Sequence, residues 1–280
     1  MTEQLHPPSR PNGSTPQPFG AHLRHWRQHR RLSQLDLASE ADISSRHLSF
    51  VETGRSVPSR EMVLRLAERL DVPLRERNAL LVAAGYAPMY RDRPLADPAL
   101  GPARQAVELI LKSHEPCPAL AVDRHWNLVA ANRMLPPLLA GADPSLLQGP
   151  VNVLRLSLHP QGLAANIVNL GQWRKHLFER LRKQINVTGD ATLAALLEEL
   201  RGYPVPTGAE DTHLDGEHVG VVMPLLFKTG SHVLSLISTT TVFGSPVDVA
   251  LQELALETFF PGDAATGEIL RQLAAADPPR

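Results

Sequence analysis

Cysteine is almost absent: Cys117, between Pro116 and Pro118, is the only one in 280 residues. No intrachain disulfide can form, so a reducing compartment is expected and each fold must stand on its hydrophobic core. Long apolar runs are absent too. None approaches the roughly 18 residues of a membrane span, and the polar, Pro-rich N-terminus lacks the basic-then-apolar pattern of a secretory leader. The expected setting is therefore cytoplasmic, with no membrane partner. Catalytic signatures are also missing. There is no G-x-S-x-G, no P-loop, no paired cysteine and no recognisable nucleophile–base pair, so neither enzymatic activity nor a cofactor is expected.

Lysine is missing from the first third. Residues 1–93 carry 14 arginines and no lysine against 10 acids, whereas residues 94–280 carry 14 cations against 19 acids. The overall charge of −1 hides this asymmetry. Arginine suits bidentate contacts with phosphate and guanine; an acidic remainder does not track nucleic acid. At this length two domains are expected, and a hydrophobic fraction of 43% gives each a core.

Residues 1–18, with Pro7, Pro8, Pro11, Pro16 and Pro18, read as a flexible tail. Residues 19–90 read as an all-α domain. A first helix starts near Phe19, with Leu23, Trp26 and Arg27 on one stripe. Ser33 caps a second, with Asp36 at the capping-box position. Ala41-Asp42 turns the chain, Ile43 plugs the core, and Ser44 caps a third helix that closes at Gly54. Ser59 caps a fourth through Leu70, and a fifth runs to about Ala84. Two short helices around a tight turn form a helix-turn-helix, whose second helix presents side chains to the DNA major groove. Between Ser44 and Gly54, Leu48 and Val51 point inward, while Ser45, Arg46, His47, Ser49 and Phe50 point outward. Arg46 has the reach for a guanine edge. Phe50 suits a thymine methyl or, alternatively, covers a neighbouring side chain.

Ser33-Gln34-x-x-Leu37-Ala38 and Val51-Glu52-Thr53-Gly54 carry a family likeness. Residues 19–88 resemble the five-helix DNA-binding domain of the lambda-repressor/Cro (XRE) class, over about a quarter of the chain. The resemblance implies that Gln34 clamps a phosphate and that Ser45, Arg46 and Phe50 face bases. It also implies that Thr53, Arg55 and Ser56 meet the DNA backbone, and that Glu52 supports the fold. Ser44, His47 and Ser49 complete the candidate DNA contacts.

Residues 91–103, punctuated by Pro94, Pro98, Gly101 and Pro102, read as a linker. From residue 104 onward the pattern is mixed α+β. A helix over 104–112 precedes a hairpin of 119–122 with 128–131. Helices are expected over 163–185 and 192–201, strands over 220–228 and 232–242 around Thr229-Gly230-Ser231, and helices over 247–258 and 264–275. Ala121-Val122-Asp123-x-x-Trp126, Ala131-Asn132, Asn152-Val153-Leu154-Arg155 and Gly220 make residues 104–280 resemble the MmyB-like ligand-binding domain, a PAS-like module that follows XRE-type domains in bacterial regulators. The resemblance implies a sheet with helices on one face, enclosing a largely apolar cavity for a small molecule. Where many members carry F-x-x-x-W, this chain has Tyr203-Pro204.

Candidate ligand contacts are Trp173, Leu177, Phe178, Val222 and Leu226, each of which also suits a plain sheet–helix core. Arg155 can bind a ligand carboxylate, or pair with an acid or snorkel to solvent; the latter is the simpler reading. The run Asp211 to His218 contains Asp211, His213, Asp215 and His218 but lacks the helical spacing of a metal site, so it reads as a solvated turn and no metal is expected. The expected function is a DNA-binding regulator, a homodimer on double-stranded DNA, tuned by a small apolar or weakly acidic metabolite. The alternative is a regulator whose second domain only dimerises or recruits a protein partner.

Overall fold

In a computed structural model of the chain, residues 18–204, 223–244 and 248–276 are described. They divide into two compact units, the first ending at Tyr90 and the second starting at Arg91. No described helix is long and apolar enough to cross a membrane.

The first unit contains five helices: α1 (Phe19–His29), α2 (Gln34–Glu40), α3 (Ser45–Glu52), α4 (Arg60–Arg69) and α5 (Leu74–Ala83). Serine hydroxyls set three of the starts. Ser33, Ser44 and Ser59 accept from the backbone N–H of Asp36, His47 and Met62 at 3.1, 3.1 and 3.2 Å. The Asp36 carboxylate accepts the Ser33 N–H at 2.9 Å, completing a capping box. Asp42 takes a left-handed backbone, φ 53°, and turns α2 into α3. Leu23, Leu37, Leu48, Leu66 and Leu70 are fully buried between the helices. Gly20 lets α1 approach the end of α3: a Cβ there would lie 2.3 Å from the Glu52 carbonyl oxygen.

The second unit contains α6 (Gly101–Ser113), β1 (Ala119–Val122), β2 (Leu128–Ala131), α7 (Pro136–Leu139), α8 (Val153–Leu158), α9 (Leu170–Thr188) and α10 (Ala191–Arg201). It continues with β3 (Pro224–Thr229), β4 (His232–Val242), α11 (Val249–Gln252), β5 (Ala255–Pro261) and α12 (Ala264–Ala276). The five strands form one antiparallel sheet in the order β2-β1-β5-β4-β3. Alternation along the strands separates two faces. Leu120, Val122, Leu234, Leu236 and Phe227 point into the main core with α9 and α10. Ala119, Ala121, Leu254 and Leu256 point the other way and pack on Val107 and Leu111 of α6. Helices therefore cover both faces, not one as expected. Residues 91–93 are held in this unit: the Val249 N–H donates to the Arg91 carbonyl at 2.8 Å, and Arg93 lies 3.6 Å from the buried Asp248 carboxylate.

Two expected elements are corrected. The helix expected over 163–185 begins only at Leu170. The Asn169 side chain donates to the Pro224 carbonyl at 2.8 Å and accepts from the Leu226 N–H at 3.0 Å. Val168 N–H also bonds Leu226 O at 2.8 Å, so this stretch covers the β3 edge instead of winding. The helix expected over 247–258 is one turn, Val249–Gln252, followed by β5. Residues 255–261 pair on both sides, with β1 and β4, and that pairing overrides local helix preference.

Candidate functional site

The outer side of α3 is the first candidate site. Ser45 and Arg46 are exposed, His47, Ser49 and Phe50 are half-buried, and in the turn after the helix Thr53 and Arg55 are exposed and Ser56 half-buried. Phe50 lies between two cations: the guanidinium carbons of Arg46 and Arg55 stand 5.4 and 6.0 Å from its ring centroid. This aromatic–cation stack narrows the rotamer choice of both arginines. Ser44 is occupied as the helix cap, and the Thr53 hydroxyl donates to the Ser49 carbonyl at 2.7 Å.

Beneath that surface sits a buried ionic network. Arg27 donates from Nε and Nη2 to the two Glu52 carboxylate oxygens at 2.6 and 3.0 Å. Gln34 Nε2 donates to Glu52 Oε2 at 2.7 Å, and Arg24 stands 3.5 Å away. Burial pushes the Glu52 carboxyl up, but hydrogen bonds from Arg27 and Gln34 and the charges of Arg27 and Arg24 outweigh it and hold the group below the usual carboxylate range. Glu52 thus ties α1, α2 and α3 together. Gln34 is fixed at the first turn of α2, with the second hydrogen of its amide left over by this bond.

The second candidate site is a cavity of about 110 Å³ between the inner sheet face and the helices. Its apolar wall includes Leu120, Trp126, Leu128, Leu154, Trp173 and Phe227; its polar wall is Ser157, Arg180, Ser238 and Glu257. One stripe of α9, with Trp173, Leu177, Arg180 and Gln184 at helical spacing, faces the sheet. Arg180 donates from Nη1 to Glu257 Oε2 at 2.9 Å and from Nη2 to Glu257 Oε1. Thr240 donates to Glu257 Oε1 at 3.0 Å. The Arg180 guanidinium lies 4.6 Å from the Trp126 ring centroid, and the Trp126 indole N–H donates to Gln184 at 2.8 Å. Trp126 has φ 69°, a left-handed backbone that a bulky side chain rarely takes, at the turn between β1 and β2. Neighbouring His176 stacks on Trp173 with ring centroids 5.4 Å apart, and burial with the charge of Arg180 lowers its pKa.

The structure distributes the expected ligand contacts unevenly. Trp173 and Leu177 line the cavity. Phe178 is buried beside it, under the Arg174 guanidinium at 5.1 Å. Leu226 lies outside the lining, because β3 alternation gives that face to Leu225 and Phe227. Arg155 also lies outside. It forms a bidentate pair with Glu199 at 2.7 and 2.8 Å, the simpler of its two expected roles. Glu199 in turn accepts from the Tyr203 hydroxyl; burial and that bond push the Tyr203 pKa up to about 12. Val222 and the stretch holding Asp211, His213, Asp215 and His218 lie outside the described residues. Among the described residues no His, Cys, Asp and Glu side chains group as a metal site.

Arg180 and Glu257 were missed by sequence reasoning. Arg180 carried a signal, as a lone cation seven residues after Trp173 and three after Leu177 on an apolar stripe. Glu257 was hidden inside a segment expected to be helical. The motif residues Asp123, Asn132 and Asn152 are structural. Asp123 Oδ1 accepts two backbone N–H bonds in the β1–β2 turn, from His125 at 2.8 Å and Asn127 at 2.9 Å. Asn132 bonds Ala119, Leu111 and Cys117 backbone groups, and Asn152 caps α8 while donating to the His125 carbonyl.

Comparison with known proteins assigns each unit to a family. A helix-turn-helix domain family matches residues 18–80, and the family described as the MmyB-like transcription regulator ligand binding domain matches residues 103–273. No curated protein matches the chain significantly. Among solved structures, the clp gene regulator ClgR from Corynebacterium glutamicum is 23% identical over 35% of this chain and 90% of its own, with a TM-score of 0.21. An RNA-binding light-oxygen-voltage receptor is 13% identical over 91% of this chain and 63% of its own, with a TM-score of 0.25. The second-unit match spans more than half of the chain, so the protein belongs to the family of DNA-binding transcription regulators that carry the MmyB-like ligand-binding domain.

Proposed function

We propose that the protein is a ligand-responsive operator-binding regulator. In this reading residues 19–90 bind double-stranded DNA as a homodimer, with Arg46 and Phe50 reading bases and Gln34, Thr53, Arg55 and Ser56 meeting the backbone. Residues 104–276 hold a small, largely apolar molecule without converting it, and its occupancy shifts operator affinity. The observation that carries the reading is the cavity between the sheet and α9. A volume of about 110 Å³ left open in an otherwise packed core loses contacts that a filled core keeps. That volume is below the roughly 150 Å³ of an engineered apolar cavity that admits benzene, so a single ring or short chain is the largest body it takes.

Such coupling requires the ligand to favour one DNA-binding state energetically. Native mass spectrometry of protein purified from its host reads oligomeric state and retained ligand together. Footprinting on the recovered operator, with and without that ligand, then tests the switch. Identical protection under both conditions, by a protein shown to bind the ligand, removes the switching part of the proposal.

A further inference from the structure

We infer that the cavity selects its ligand by charge: it accepts a small neutral molecule with one hydrogen-bonding group, and Glu257 excludes carboxylates. This rests on the reading of the cavity as the ligand site.

The inference starts from where the charges sit. Arg180 is the cation of the polar wall, and a free arginine there would favour a carboxylate ligand. It is not free. Both Glu257 oxygens accept hydrogen bonds from it, and Glu257 is itself buried. Neither partner can swing away easily. Glu257 sits on β5, the central strand, in register with Leu120 of β1 and Thr240 of β4. Arg180 is held against the Trp126 ring, whose indole is fixed by Gln184. The charged wall is therefore neutral as a unit and rigid.

A carboxylate entering this space would bring a second negative charge beside Glu257 in apolar surroundings. Arg180 cannot offset both, and an uncompensated buried charge is strongly unfavourable. A neutral group meets no such penalty. Ser157 and Ser238 offer hydroxyls on the same lining. The Trp173 indole N–H donates to Ser157 Oγ at 3.1 Å, which leaves the Ser157 hydroxyl proton for an acceptor on the ligand. The chemical class that fits is a neutral amide, phenol or alcohol on a body of about one ring, given the volume of about 110 Å³.

Three probes of one shape test this on the full chain: benzamide, benzoate and benzamidinium, with charges of zero, minus one and plus one. The chain has three tryptophans, two of which line the cavity, so the indole N–H signals of Trp126 and Trp173 report binding by NMR. The wild type should bind benzamide at least about tenfold more tightly than benzoate or benzamidinium, the discrimination that one unpaired buried charge imposes. Glu257→Gln should raise benzoate affinity and invert the order of benzamide and benzoate. Arg180→Gln, which leaves Glu257 as the uncompensated charge, should instead gain benzamidinium; it decides the case if Glu257→Gln fails to fold. Benzoate matching benzamide on the wild type overturns charge selection while leaving the cavity as a ligand site. A folded Glu257→Gln protein with an unchanged ratio overturns the role given to Glu257. If no probe moves either indole signal, the cavity reading and the inference fall together.

Discussion

Removing the Glu52 carboxylate should loosen the first unit more than any surface change. The Glu52 side chain is fully buried and that of Arg27 is 11% exposed. Arg27 also donates from Nη1 to the Leu32 carbonyl at 2.8 Å, and in Glu52→Ala this bond remains while its charge stays largely buried. Breaking a buried pair by deleting one partner costs about 3–5 kcal/mol. The Leu32 bond and the thin exposed edge of Arg27 place the expected loss at the lower end, about 3 kcal/mol. For a unit of this size each kcal/mol shifts Tm by roughly 4–8 °C, so a fall of roughly 12–24 °C is expected. Hydrogen exchange on the full chain reads it locally: α1 and α3 amides should lose protection while the β4 and β5 amides keep theirs. The double change Arg27→Met with Glu52→Leu, which leaves no orphaned charge, should recover much of the loss. A Glu52→Ala cost below about 1 kcal/mol, the value of an exposed pair, would refute the reasoning. The pH dependence has a definite sign. The folded carboxyl titrates below its unfolded value, so its contribution is complete above about pH 4.3 and disappears as pH falls through the folded pKa. Acidification should therefore destabilise the wild-type first unit more than the alanine variant.

Gly20→Ala gains up to about 1 kcal/mol of helix propensity but sets a Cβ 2.3 Å from Glu52 O and 2.7 Å from Val51 O. Overpacking of about 1–3 kcal/mol wins, and urea unfolding should show a net loss. Arg46→Ala should cost about 1–3 kcal/mol on the operator and relax one base position, whereas Arg55→Ala should weaken all sequences alike and lower the salt slope by about 1. Phe50→Ala, which frees both arginines, should weaken both kinds of contact; anisotropy titrations across salt concentrations separate them. Arg155→Ala should cost less than about 1 kcal/mol, since Arg155 and Glu199 are 45% and 40% exposed, and should leave the Trp126 and Trp173 indole signals unmoved.

What was legible in the sequence depended on how local its cause is. Ser33, Ser44 and Ser59 act on backbone three residues ahead, so their caps were visible in the chain itself. The hairpin of 119–122 with 128–131 was visible because its apolar runs flank one turn. The start of α9 was not, because Asn169 spends its side chain on Pro224 and Leu226, more than fifty residues away. Residues 255–261 were misread because a strand buried on both faces loses its alternation. Leu254 and Leu256 serve the α6 side while Glu257 serves the cavity side, and a helix accommodates the same composition. That one error also hid Glu257, and with it the partner that explains Arg180. Leu226, expected as a ligand contact, lies outside the cavity lining for a related reason: one step along a strand reverses the side, and only the register shows which of Leu225 and Leu226 turns inward.

The two units share a device, an arginine on the buried stripe of a helix held by a glutamate on a neighbouring element. Arg27 on α1 holds Glu52 at the end of α3, and Arg180 on α9 holds Glu257 on β5. Apolar residues of equal volume are often as stabilising as such a pair, so stability alone does not account for either. What the pair supplies is direction. Glu52 accepts from α1 and from Gln34 of α2, so the three helices meet in one arrangement and the Arg46–Phe50–Arg55 stack inherits its orientation from it. Glu257 accepts from α9 and from Thr240 of β4, but one side of that pair borders open volume. An apolar wall repacks around an occupant with little preference for its charge. A hydrogen-bonded ion pair in low dielectric does not, because its energy changes steeply with any charge placed beside it. The same construction is thus a fixed joint in the first unit and a discriminating wall in the second, and the difference is the cavity.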